Sequence, residues 1–376
     1  MGALLGVGLS HFPPLCYPDS SFAAALRWTL LDPDLPEALR DPSGWPDDMR
    51  AEWADDAGSA AAARHRTALV DGCDRVRAAI DDFAPDALLI VGDDQYENFH
   101  EDVIPAFTVL AYGDRTTSPW SREEKTRGVL PPDNAWGESA DTTFLVRGRP
   151  DIAREVVASL LGQELDVAYS YEPLHHPGIP HAFMNTVLFL DYHRRGFDYP
   201  VVPLAVNCYG RRVISRKGGM SRLADASPFD PPSPLPRRVM ALGAALAEAV
   251  LASPWRIALV ASSSWSHAFL CDHTYRLRPD TAADRRLYDA FVAGDWDTWR
   301  AVGLDDVERA GQQELLNWFA LAGAMERAQT TANWSEFIET AVFNSNKVFA
   351  TFPAVERAVP PADEPADASA VPVASP

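Results

Sequence analysis

Lysine is almost missing from this chain. Lys125, Lys217 and Lys347 are the only three, and arginine supplies the rest of the 33 basic side chains, a bias we assign to genomic base composition. Positive charge as a whole is short, because 53 acidic side chains set the formal net charge at -20. A surface of that sign repels nucleic-acid phosphates and anionic bilayers, so neither is expected as a partner. Cysteine is scarce too. Cys16, Cys73, Cys208 and Cys271 are scattered with no CxxC pair, which argues against a disulfide framework or zinc ribbon and favours a reducing cytoplasm. No apolar run approaches the roughly 18 to 20 residues of a bilayer-spanning helix. Residues 1 to 11 lack the basic start and small-residue cleavage site of a secretion signal, so none is expected. A G-x-S-x-G elbow, a P-loop, a dinucleotide fingerprint and HExxH are all absent, which removes the commonest signatures of hydrolases, nucleotide binders and zinc proteases.

What remains is ample material for a core. The chain has 376 residues, 47% of them hydrophobic. Length alone suggests two to three domains at about 150 residues each, but the pattern argues for one α/β domain with a mainly parallel sheet flanked by helices. Short apolar runs at Leu4–Leu9, Ala87–Val91, Leu165–Ser170, Val201–Val206 and Arg256–Ser262 read as strands, the second buried on both faces. Helical spacing occupies Ala60–Phe83, where Leu69, Cys73, Val76 and Ile80 form one stripe, and also Ile152–Leu161, Arg237–Ala252 and much of Leu287–Met325. This predicts a domain over residues 1–356 with a surface insertion at about 114–140. A Pro/Ala-rich tail, 357–376, is expected to be disordered.

Polar turns follow the apolar strands. In open α/β sheets ligands bind beyond the carboxyl ends of strands, and His11, Asp93-Asp94-Gln95 and His267 all occupy such ends. The densest histidine cluster is Leu174-His175-His176-Pro177-Gly178-Ile179-Pro180-His181. A Pro- and Gly-stiffened loop whose imidazoles cap backbone groups accounts for it, and so does metal ligation or acid–base work.

Several of these segments together resemble the class III extradiol ring-cleavage dioxygenases, the LigB-like superfamily of the protocatechuate 4,5-dioxygenase beta subunit. They are Gly8-Leu9-Ser10-His11-Phe12-Pro13, Pro85 to Val91, Phe99 to Phe107, Val202 to Asn207, Ser266-His267, and Glu314-Leu315-Leu316-Asn317-Trp318. Their order and approximate spacing hold from residue 6 to about residue 352. The resemblance implies an enzyme that opens a catechol-like or aminophenol-like ring with O2, using one non-haem Fe(II) held by two His and one Glu. It places His11 and Glu314 on ligand positions and His267 on the base that deprotonates the substrate. His175, nine residues before Met184, falls on a second acid–base or substrate-binding position, with His176 as the one-residue-shift alternative. The partners implied are a small aromatic substrate and O2, and a homo-oligomer is compatible with it.

One position departs. Where the family carries Asn-Asp-His after the strand, this chain reads Asp93-Asp94-Gln95, so Gln95 stands in the place of the second His ligand. Gln95, Asp94 or a water would complete the site, or a histidine of the 175–181 cluster would swing in, or metal binding would be weakened. An amide oxygen is a poorer Fe(II) ligand than imidazole. The alternative expectation is therefore a relative that binds small molecules or uses a different metal chemistry. Arg211, Arg212, Arg216 and Lys217 read as a solvated basic loop, or as a clamp for a substrate carboxylate.

Overall fold

Residues 87–91 are apolar without a break because their strand has a core on each side. Leu88 and Ile90 point into one hydrophobic cluster, and Ala87, Leu89 and Val91 into the other. The strand over Arg256–Ser262 divides in the same way, Ala258 and Val260 against Ile257, Leu259 and Ala261. This is the period-2 alternation of a sheet covered on both faces. The computed structural model describes residues 2–121, 133–211, 217–219 and 221–356. The tail expected at 357–376, the middle of the 114–140 insertion, and Arg212 and Arg216 lie outside the described residues.

In chain order the strands are β1 (Ala3–Leu9), β2 (Ala87–Asp93), β3 (Phe107–Leu110), β4 (Arg115–Thr117), β5 (Phe144–Val146) and β6 (Ala168–Ser170). Then follow β7 (Val201–Val206), β8 (Arg256–Ser262), β9 (Trp334–Ile338), β10 (Lys347–Thr351) and β11 (Val355–Glu356). Nine of them form one mixed sheet in the order β6-β3-β7-β2-β8-β1-β10-β9, with β11 also on β1. The centre, β7-β2-β8-β1, is parallel throughout, so its four carboxyl ends share one edge. Antiparallel β3 and β10 flank it on either side. β4, inside the predicted insertion, pairs with β5 just beyond it, and Trp120 is buried with its indole N–H on Glu138. The described flanks of that excursion are therefore anchored to the body.

Helices cover both faces. On one side lie α1 (Ser59–Phe83) and α3 (His181–Leu190); on the other lie α2 (Pro150–Gly162), α4 (Pro236–Ala252) and α6 (Leu316–Arg327). The stripe Leu69, Cys73, Val76 and Ile80 of α1 is buried, as its spacing predicts. Between α2 and α4 in sequence sits α3, which the sequence pattern did not reveal. Every residue from Ala182 to Leu190 is buried, so it has no polar face and hence no amphipathic period to detect. A sixth helix, α5 (Thr281–Ala293), is capped by Asp280, whose carboxylate accepts the Ala283 N–H. Among the described residues no helix is long and apolar enough to cross a membrane.

Helices α4 and α6 approach one another through glycine. A Cβ on Gly243 would lie 1.8 Å from the Ala320 carbonyl oxygen, and one on Gly323 would lie 2.0 Å from that of Met240. Both obstacles are backbone, so no rotamer change relieves them. Gly323→Ala is expected to force the helices apart and to cost about 1–3 kcal/mol, the usual range for overpacking. The measurement is the urea midpoint at unchanged slope; a midpoint equal to wild type would show that the pair is free to separate.

Candidate metal centre and active site

The edge where β1, β2, β7 and β8 end carries the chemistry. Two residues past β1 is His11, buried, with its Nδ1 2.9 Å from the Ser262 carbonyl oxygen and 2.9 Å from Ser262 Oγ. A carbonyl accepts and cannot donate, so Nδ1 carries the ring proton and Nε2 presents a lone pair. Burial also holds the His11 pKa well below its ordinary value, which keeps the ring neutral. Its Nε2 faces two carboxylates, 3.7 Å from Asp93 Oδ1 and 3.6 Å from Glu314 Oε2.

Those carboxylates lack the donors that buried carboxylates normally require. Asp93 closes β2 in full burial, and neither of its oxygens has a hydrogen-bond partner; Glu314 Oε2 has none either. Burial raises both pKa values: Asp93 to about 6, with Glu97 adding to the rise and His181 opposing it, and Glu314 well above the ordinary range, with the charge of Asp93 adding to the rise. The His11 lone pair thus faces carboxylate oxygens that make no hydrogen bond of their own. Unpaired buried acceptors are costly, and a divalent cation among them removes the cost.

The second imidazole comes from the first turn of α3. His181 donates from Nδ1 to Glu97 Oε2 at 2.8 Å, and its backbone N–H also points at the Glu97 carboxylate. Ligand atoms of His11, Asp93 and His181 all lie within 4.8 Å of one another. The carboxylate–imidazole pairing that fixes a ring with Nε2 outward is the usual support of a metal-binding histidine. Burial alone would lower the His181 pKa, but Glu97, then Asp93 and Glu314, push it up to about 10. The ring is therefore an imidazolium here, a cation drawn in by the surrounding acids. His181 also touches solvent, its side chain being 22% exposed against 1% for His11 and 0% for Asp93.

Beyond β8 the chain reaches His267, buried, with Nε2 3.3 Å from Glu314 Oε1 and Nδ1 without a partner. Burial, then the charge of Lys347, lowers its pKa to about 3, so the ring is neutral. Tyr209 donates its hydroxyl to the same Glu314 Oε1. The Glu-Leu-Leu-Asn-Trp segment leads into α6 and clamps the end of β8. Asn317 donates to the Ser262 carbonyl at 3.3 Å, Trp318 to that of Ser263 at 3.0 Å, and Ser263 Oγ to the carbonyl of Glu314 at 2.8 Å. Gly8 makes room for that indole, since a Cβ there would sit 2.3 Å from the Trp318 ring. Behind the loop, buried Asp284 accepts from the Ser266 N–H, Gln312 and Asn346, pinning the residue before His267.

Of the residues singled out in the sequence, the structure brings His11, Glu314 and His267 together. Gln95 it does not: the Gln95 amide donates to the Gly218 carbonyl at 2.9 Å, and Gln95 is outside the donor group. Asp94 is spent on the backbone, accepting from the N–H groups of Glu97, Asn98 and Phe99. His175 lies toward the surface, Nε2 2.9 Å from Asp102 and its ring stacked 4.1 Å from His100. His176 is buried one shell out, its Nδ1 accepting the Gly178 N–H at 3.0 Å. Of the cluster 175–181, it is His181 that enters the centre. Sequence reasoning singled out neither Asp93 as a donor, nor Glu97, nor Tyr209. The signal for Asp93 was present in its place as the last residue of β2, where β1 and β8 also deliver their site residues.

The donor set suits a first-row divalent metal, since two imidazoles with a carboxylate and open positions form the arrangement of non-haem Fe(II) oxygenases. Comparison with known proteins points the same way. No curated protein matches the chain, but residues 230–351 match the model of a family described as the catalytic LigB subunit of aromatic ring-opening dioxygenase. That span holds α4, β8, His267, Glu314 and α6, the half of the site in which base and carboxylate meet. Over that third of its length the chain is similar to the LigB family of aromatic ring-opening dioxygenases.

Proposed function

We propose that this protein is an Fe(II)-dependent extradiol-type dioxygenase that opens a catechol-like or aminophenol-like ring, with His11, His181 and Glu314 holding the iron. The observation that carries it is the convergence of unpartnered acceptors on one buried point beside two histidines. Bound Fe(II) supplies Lewis acidity toward a ring hydroxyl and electrons toward dioxygen. The remaining work belongs to the chain. A ring enters from the side of His181, the group with solvent contact, and places a hydroxyl or amino group against the centre. His267, neutral and next to Glu314, accepts the ring-hydroxyl proton at Nε2. Ser262 and Glu97 hold their protons' positions on Nδ1 of His11 and His181, so both Nε2 atoms stay aimed inward. Tyr209 fixes one oxygen of Glu314 and leaves the other for the metal. Burial of His11, Asp93, His267 and Glu314 keeps bulk water from the reacting atoms.

Anaerobic reconstitution with Fe(II) followed by metal analysis tests this. One iron per chain is expected, whereas a small-molecule binding protein would take up none at micromolar metal. The second histidine is tested separately. His181→Asn keeps an N–H for Glu97, because the Asn Nδ2 takes the place of Nδ1, but removes Nε2. We expect it to weaken Fe(II) at least tenfold, about 1.4 kcal/mol. Gln95→His should leave the affinity within about twofold, its side chain being engaged with Gly218. Tightening by Gln95→His, with no loss in His181→Asn, would return the second ligand to position 95.

A further inference from the structure

We infer that Asp93 is a fourth protein ligand, giving a two-histidine, two-carboxylate centre with two exchangeable positions instead of three. The inference rests on the metal reading above and goes beyond it. Asp93 is fully buried, with both carboxylate oxygens unpartnered and Oδ1 3.7 Å from His11 Nε2. Of the two carboxylates, it is Asp93 that falls with His11 and His181 in one group of mutually close ligand atoms. A structural role would need hydrogen bonds, as Asp94 has from three backbone N–H groups and Asp284 from Ser266, Gln312 and Asn346. Asp93 has no such hydrogen bond, and only its closeness to His181 offsets its burial.

The consequence is arithmetic. A six-coordinate cation held by one atom from each of His11, His181, Glu314 and Asp93 keeps about two positions for other ligands. Two carboxylates also neutralise a divalent ion, and a harder oxygen-rich set favours Mn(II) or Fe(II) over softer competitors.

Full-length wild type and Asp93→Asn, loaded with Mn(II), decide the matter by equilibrium titration and by counting inner-sphere waters from water-proton relaxation. Wild type is expected to hold about two exchangeable waters, and the variant about three with at least tenfold weaker Mn(II) binding. The melting curve of metal-free Asp93→Asn, read against that of metal-free wild type, shows that the variant folds. Affinity unchanged within twofold, or three waters in wild type, overturns the role of Asp93 and leaves the metal enzyme standing. Failure of wild type to take up either Mn(II) or Fe(II) overturns the metal reading itself, and this assignment with it.

Discussion

Alanine at His11 or at Glu314 should abolish metal binding, with affinity falling at least 100-fold, about 2.7 kcal/mol. His11 Nε2 faces the Asp93 and Glu314 carboxylates, and Glu314 Oε2 has no hydrogen-bond partner. The two changes should part company in stability. Glu314→Ala removes a buried carboxylate whose pKa burial and the charge of Asp93 raise, so the metal-free variant loses a repulsion while Tyr209 loses its acceptor. His11→Ala opens a hole beside Ser262 and gains nothing electrostatic. His11→Asn separates ligand from packing: it retains a donor for the Ser262 carbonyl and should still fail to bind metal. Titration of Fe(II) under argon, read beside the melting curve of each metal-free variant, makes the comparison. Full iron content in either alanine variant would remove that residue from the ligand set.

His267→Gln should keep its metal and lose turnover by about 10² to 10⁴, the usual worth of a positioned general base. Glutamine can place an amide nitrogen where Nε2 lies, so contact with Glu314 Oε1 survives while basicity does not. Burial keeps the wild-type ring unprotonated and able to accept. The loss belongs in kcat, with metal stoichiometry unchanged. A variant that loses iron in proportion to activity would make His267 a ligand. Asp284→Ala offers a contrast, because Asp284 touches no reacting atom and acts by fixing Ser266. Its damage should appear first as lower stability, through three stranded donors.

Strands were legible because a sheet covered on both faces writes itself as unbroken apolar runs, and β2, β7 and β8 do so. His11, His267 and Glu314 were legible because two follow such runs directly and the third opens a specific helix start. Helix α3 was hidden by its burial on all sides, and with it went the placement of His181. No local pattern distinguishes His181 from His175 or His176. What separates them is Glu97, 84 residues earlier in the chain, which meets His181 through the turn that Asp94 caps. Asp93 was passed over because attention fell on Gln95, two residues on, where the family comparison expected a ligand. A strand's last residue points by the parity of the pleat, and Gln95 has already left the strand.

The family-matched stretch, 230–351, carries His267 and Glu314, while His11, Asp93, Glu97 and His181 all come from outside it. The site is thus drawn from two portions of the chain that meet where β8 inserts between β1 and β2 and where β10 pairs with β1. Occupancy by metal becomes a report on assembly of the sheet's middle. Slippage of either neighbour against β8 would move a histidine or an aspartate out of reach while leaving base and glutamate in place.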